Sequence, residues 1–193
     1  MEHLFSLKQS LLSIAPLPAE EWDAFSEAVI TKNFRKGDYL CREGQVENYI
    51  YFLNKGATRH YFRKDGKEFT VDFHFEGEFV TAYYSFLTRK PSPINAEAID
   101  DTEAFLIPHQ YLHEFYDRHH MGERIGRRMA EYNYIRRLER EMALLSLTAE
   151  ERYHQLVQRH PALVRQISVK HLSSYLGIQP ESLSRIRKQY GKQ

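Results

Sequence analysis

Residues 36–79 read KGDYLCREGQVENYIYFLNKGATRHYFRKDGKEFTVDFHFEGEF. Aromatic and β-branched residues alternate with charged ones. Glycines punctuate the stretch at Gly37, Gly44, Gly56, Gly66 and Gly77. YIYFLNKG (49–56) reads as one strand. ATRHYFRKDGKEFTVDFHFEGEFV (57–80) reads as a pair meeting at Lys64-Asp65-Gly66-Lys67, where Asp-Gly supplies the positive φ angles of a tight hairpin turn. NAEAIDDTEAFLIP (95–108) adds two more strands. Short strands at near-regular spacing predict an all-β sandwich or barrel.

The texture is helical on both sides of this block. Leu4, Phe5, Leu7, Leu11 and Leu12 recur at helical spacing, Pro16 and Pro18 interrupt, and Trp22, Phe25 and Val29 resume the period. HQYLHEFYDRH (109–119) is a short helix. From Met121 to about Leu147 there is no proline and one internal glycine, Gly126. Met121, Ile125, Arg128, Tyr132, Ile135, Glu139 and Met142 step by four and three, the spacing of a coiled-coil seam broken by Arg128 and Glu139. A second stripe of Ile125, Met129, Leu138, Met142 and Leu145 is expected to face the chain's own β block. Thr148-Ala-Glu-Glu151 is a capping box for the next helix, which Pro161 ends.

The chain has 193 residues, 42% hydrophobic and 27% charged, ordinary for a soluble globular protein. No run of about 18 apolar residues predicts a membrane span, and the N-terminus does not read as a signal peptide. A cytoplasmic location is the default expectation. Cys41 is the single cysteine, so one chain can form neither an internal disulfide nor a thiolate-held metal cluster. Net charge is +1, but it is unevenly distributed. Residues 1–119 carry 13 Lys+Arg against 19 Asp+Glu, and residues 120–193 carry 14 against 7. A basic C-terminal part is where an anionic polymer would sit.

That part ends in ISVKHLSSYLGIQPESLSRIRKQYGKQ (167–193). Ser168 can cap a helix whose inner face is Leu172 and Leu176. Gly177 permits the positive φ of a tight inter-helix turn, and Ile178 fills the angle. Pro180 stands at the first position of a second helix, where its missing N–H costs nothing. Leu183 and Ile186 face inward, leaving Gln179, Glu181, Ser182, Arg185, Lys188 and Gln189 outward or nearly so. Arg185 can pair bidentately with guanine, Glu181 can accept from cytosine, and Ser182 can bond a base or a phosphate. Arg187, Lys188, Lys192 and Lys170 can contact phosphates.

The order and spacing of Lys36-Gly37-Asp38, Glu43-Gly44, Tyr51-Phe52-Leu53 with Gly56, Asp65-Gly66 and Gly77-Glu78-Phe79 resemble the β-roll of the Crp/Fnr family of bacterial transcription regulators. The resemblance continues through the long helix to the C-terminal segment. It implies an α+β chain: a cyclic-nucleotide-binding-like, jelly-roll-like β-roll sensor domain with flanking helices over 1–118, a long dimerisation helix over 119–147, and an all-α helix-turn-helix domain over 148–193. It further implies a homodimer on pseudo-palindromic promoter DNA, with Glu181, Ser182 and Arg185 where the family reads bases; Ser168 and Gln179 are also expected to contact DNA. Two departures stand out. Pro180 occupies a position where the family often has a basic residue, and the family's β-hairpin wing is expected to be truncated.

In family members that bind cyclic AMP, Gly-Glu and then Arg-Ser/Thr hold the ribose and phosphate. By spacing, those roles fall here on Ala82 and Ser92, which cannot fill them. Arg89 or Lys90 would have to swing in. Cyclic AMP and cyclic GMP are therefore not expected, nor an iron–sulfur cluster, nor haem on His60, His74 or His109; no cofactor is expected. An effector of apolar or neutral character would sit near Phe79, Val80, Tyr83, Tyr84 and Asn95, closed by Tyr132 or Ile135 of the long helix. The alternative function is a signalling adaptor whose C-terminal hairpin contacts protein instead of DNA. An enzyme on a cupin-like barrel would need a His-x-His cluster that the strands lack, so the chain does not read as an enzyme.

Overall fold

Pro16 and Pro18 separate two helices because proline has no N–H for a helix interior. The computed structural model describes residues 2–159, 161–164 and 167–190. In it α1 spans Phe5–Ile14 and buries Leu7 and Leu11, and α2 spans Ala19–Glu27 and buries Trp22 and Phe25. Eight strands follow: β1 (Ile30–Phe34), β2 (Tyr39–Cys41), β3 (Tyr49–Lys55), β4 (Ala57–Lys64), β5 (Lys67–Phe75), β6 (Phe79–Val80), β7 (Asn95–Ala98) and β8 (Thr102–Pro108). A short helix, α3 (Tyr83–Thr88), interrupts them.

The strands form two four-stranded sheets, ordered β1-β8-β3-β6 and β2-β7-β4-β5. Neighbours pair antiparallel, with β8 running along β1 from Ile30↔Leu106 to Phe34↔Thr102 and along β3 from Tyr49↔Pro108. The chain crosses from sheet to sheet as it advances, which is the expected β-roll. Asp65 and Gly66 sit at φ of 50° and 74°, the paired left-handed conformation that the Asp-Gly signal anticipated at the β4–β5 turn. Between the sheets lie Phe34, Tyr51, Leu53, Val80, Ala98 and Ala104. Phe52, Phe105 and Ile107 point the other way, into a second core shared with α1, α2 and the helices after β8.

Those helices are α4 (His109–Arg118) and α5 (His120–Ser146), then α6 (Ala149–Arg159), α7 (Pro161–Val164), α8 (Val169–Leu176) and α9 (Pro180–Tyr190). Gly122 and Gly126 let α5 press against α4. A Cβ at Gly122 would collide with the Phe115 ring, and one at Gly126 with the Tyr116 hydroxyl. The second apolar stripe of α5 behaves as expected only in its first turns. Ile125 is buried and Met129 packs against the core, whereas Leu138, Met142 and Leu145 are exposed. No helix among the described residues is long and apolar enough to cross a membrane.

The chain divides into two compact units. One comprises residues 1–62 and 72–131, the other residues 63–71 and 132–193. The tip of the β4–β5 hairpin thus packs with the C-terminal helices, and α5 contributes to both units.

Candidate nucleic-acid interface

The C-terminal unit is assembled around helix ends. Thr148 and Glu151 exchange bonds: the Glu151 carboxylate accepts from the Thr148 N–H at 2.7 Å and its own N–H donates to the Thr148 hydroxyl at 3.3 Å. These bonds hold the Glu151 carboxyl below its ordinary pKa. The Ser168 hydroxyl caps α8 by accepting from the His171 N–H at 3.2 Å. At the other end Gly177 adopts φ 68°, and the Ile178 N–H returns to the Ser173 carbonyl at 3.0 Å. This left-handed cap turns the chain into α9. Leu172, Leu176 and Leu183 are fully buried between the two helices, and Ile186 nearly so.

On the outer side, Gln179, Glu181, Arg185 and Lys188 are exposed and Ser182 is half-buried. The Arg185 guanidinium donates to the Ser182 hydroxyl at 3.3 Å, one turn earlier on α9. The structure therefore gathers these side chains on one face. Arg187 is different: half-buried, it donates to the Val164 carbonyl at 3.0 Å and ties α9 to α7. Lys170 is exposed and lies 3.8 Å from Glu68. Lys192 lies outside the described residues.

Two further arginines hold this helix pair, and sequence reasoning did not single them out. Arg152 donates to the Leu176 carbonyl at 2.9 and 3.2 Å and also to the Leu147 carbonyl. Arg140 stacks its guanidinium 3.7 Å over the Tyr175 ring and donates to the Tyr175 carbonyl at 3.0 Å. Both satisfy carbonyls that a helix C-terminus leaves without intrahelical partners. An arginine within a basic surface helix carries no sequence mark that separates this use from solvation.

In the roll, Ala82 precedes α3 and Ser92 follows it, both buried. The Arg89 guanidinium is already engaged, donating to the Glu47 carbonyl at 2.6 Å and to Asn48 Oδ1 at 2.5 Å. Ser85 accepts from the Glu47 N–H at 3.0 Å. The Ser92 N–H donates to the Gln45 carbonyl and its carbonyl accepts from Gly44. Asn95 accepts from the Glu43 N–H at 3.0 Å. At the centre is Glu47, whose carboxyl is 2% exposed and accepts from the Tyr49 N–H and the Tyr51 hydroxyl. Burial pushes its pKa up. Burial, with Glu47 beside it, pushes the Cys41 thiol up to about 12, so the single cysteine stays protonated and unreactive.

The residues expected to form an effector pocket are dispersed. Phe79 lines a cavity with Leu11, Ile50, Phe115, Tyr116 and Ile125 on the helical side of the roll. Its free volume, about 30 Å³, is too small for a nucleotide. Val80 packs inside the roll, Tyr83 and Tyr84 are exposed, and Asn95 is held by Glu43. Tyr132 is exposed on the part of α5 that belongs to the C-terminal unit. Of the histidines, His60 and His74 are neighbours with ring centroids 4.8 Å apart, and His109 lies beside His113 at the start of α4.

Residues 31–119 match the cyclic nucleotide-binding domain family. Over 90% of the chain and 78% of the relative, the sequence is 28% identical to the transcriptional activator protein Anr of Pseudomonas protegens. The structure of FixK2 from Bradyrhizobium japonicum superposes with a TM-score of 0.71 over 85% of each chain, at 23% identity. The catabolite activator protein of Thermus thermophilus does so with a TM-score of 0.58 over 95% of this chain and 87% of its own, at 20% identity. The chain is thus similar over most of its length to Crp/Fnr-type regulators. The chain shares with these structures a β-roll followed by C-terminal helices, and the Pseudomonas relative is a transcriptional activator. The segment from Ala82 to Ser92, onto which the cyclic-nucleotide ligand positions fall by spacing, is bonded back onto residues 44–48 of its own chain.

Proposed function

We propose that this protein is a Crp/Fnr-type, homodimeric, sequence-specific DNA-binding regulator of transcription that does not take cyclic AMP or cyclic GMP. The observation that carries the reading is the α8–turn–α9 unit: a sealed apolar joint with Gln179, Glu181, Arg185 and Lys188 exposed on its outer face. In such a pair the first helix crosses the sugar-phosphate backbone and the second enters the major groove. Arg185 then pairs with a guanine edge, Glu181 accepts from cytosine, and Ser182 orients Arg185. Lys188 and the capped N-terminus of α8, with Ser168 and Lys170, bind phosphates. Arg187 acts by holding α9 in place. The exposed cations Arg185 and Lys188 on that face support DNA over the adaptor reading.

Dimerisation through α5 is supported by Tyr132, Ile135 and Met142, which are exposed along the seam spacing. The bar to a cyclic nucleotide is the missing counter-charge: neither Ala82 nor Ser92 carries one, and Arg89 is spent on backbone and Asn48. The test is selection of genomic fragments by the purified protein. It should enrich inverted repeats with half-sites about one DNA turn apart. No enrichment over input would refute the reading.

A further inference from the structure

The β4–β5 hairpin tip is fastened to α8. The Ser174 hydroxyl accepts from the Thr70 N–H at 2.8 Å and donates to the Glu68 carbonyl at 3.0 Å, gripping the hairpin backbone on both sides of Phe69. One turn earlier on the same face of α8, Lys170 pairs with Glu68 at 3.8 Å. Side chains four apart on a helix share a face, so the tip lies along the Lys170–Ser174 side. Leu172 and Leu176, both buried, lie on the opposite side of α8 by helical spacing. The Lys170–Ser174 side begins at the Ser168-capped end of the helix.

The charges at the tip are arranged unequally. Glu68 is shared between Lys170 and Arg63, the latter 3.6 Å away. Lys64 and Lys67 flank the Asp65-Gly66 turn and are exposed. The hairpin tip that Ser174 and Lys170 hold to α8 therefore carries two exposed lysines, with Asp65 as the acid not drawn into the Glu68 cluster.

Resting on the reading of α8–α9 as a DNA-binding pair, we propose that the β4–β5 turn is a second phosphate-contacting element, placing Lys64 and Lys67 against the DNA backbone that α8 crosses. A rigid hairpin docked by backbone bonds presents its lysines at less entropic cost than a free arm would. Such contacts add affinity without sequence preference.

The test uses the full-length protein, a random-sequence duplex and a duplex recovered by selection, with binding followed by anisotropy across a salt series. Lys64→Gln/Lys67→Gln should weaken binding to both duplexes alike and reduce the slope of log K against log salt by about 1 per lysine. Ser174→Ala, which frees the tip with both lysines retained, should also flatten the slope. Circular dichroism confirms the fold of each variant. An unchanged slope and affinity in the lysine variant overturns the proposal, as does tighter binding, which would mean that the tip masks α8. Arg185→Ala serves as the separating control. If it abolishes the preference for the selected duplex while the lysine variant behaves as wild type, the hairpin assignment alone fails. If wild-type protein binds neither duplex, the DNA reading fails and takes the hairpin assignment with it.

Discussion

Ile135 is the position where dimerisation through α5 can be tested without disturbing the protomer. Its side chain is 55% exposed in the single chain, beside Tyr132 at 65% and Met142 at 58%. Complete burial of an isoleucine contributes about 2.5 kcal/mol, so the half still exposed offers roughly 1.3 kcal/mol per copy when a partner helix covers it. Two copies meet across a two-fold axis, giving about 2.5 kcal/mol per dimer. Ile135→Ala should therefore raise the dimer dissociation constant by roughly 70-fold. Ile135→Glu would set two carboxylates against each other at the seam and should leave the protein monomeric throughout a micromolar range. Sedimentation velocity over a concentration series measures both. Melting at a concentration where the parent is already monomeric should differ little between parent and variants, because the side chain contacts mainly solvent there. An Ala variant whose dissociation constant stays within about threefold of the parent's, with a dimeric Glu variant, would refute the assignment of α5 as the dimer seam.

Arg185→Ala should cost about 1–3 kcal/mol on a selected operator and relax its sequence preference, read by competition binding against permuted sites. Arg152→Ala removes charge-assisted bonds to the Leu176 and Leu147 carbonyls and should destabilise the C-terminal unit by about 1.5–3 kcal/mol, measured by denaturant titration of helical signal. Millimolar cyclic AMP should leave the melting temperature unchanged, and a clear upward shift would show that the segment from Ala82 to Ser92 has found another cation. Glu47 predicts a pH dependence with a definite sign. Its folded pKa is raised by burial, so the folded state binds the extra proton and stability falls as pH rises from about the ordinary value of 4.5 toward the folded one. The stability of Glu47→Gln relative to the parent should improve over that window, and a parallel pair of pH profiles would contradict the assignment.

Local signals in the sequence were strong wherever one residue type alone can satisfy the backbone. Asp65-Gly66 forms the expected hairpin, Gly177 the turn between the last two helices, and Thr148 with Glu151 the expected capping box. Alternation and glycine spacing marked the roll because period-two burial requires them. The long helix was legible too, but its burial was not. The stripe of Ile125, Met129, Leu138, Met142 and Leu145 looks uniform in sequence, yet only its beginning is covered, since cover depends on where the roll ends. Helix α3 escaped notice because six residues are too few for a period to register. The use of Arg140 and Arg152 on helix-end carbonyls, and of Arg187 on Val164, was likewise hidden. A guanidinium reaching a distant carbonyl is a tertiary fact, and the same residue on a solvated face would read identically.

The segment around α3 is closed by hydrogen bonds that any ligand entering there would have to replace. It is held to residues 44–48 by two bonds from Arg89, one through Ser85, and two between the backbones of Ser92, Gly44 and Gln45. At about 1 kcal/mol net for each, lifting α3 and the following loop away costs on the order of 5 kcal/mol. A ligand that works by moving α3 must favour the lifted state about 10³- to 10⁴-fold over the resting one. An anion faces an added cost, because Arg89 would have to leave the Glu47 carbonyl before it could serve as counter-charge, and the buried Glu47 carboxyl lies in the same loop. A ligand that brings its own hydrogen-bond donors has the opposite balance. It can replace the bonds it breaks and give Glu47 a reason to ionise. A ligand able to displace this segment would therefore have to supply hydrogen-bond donors of its own.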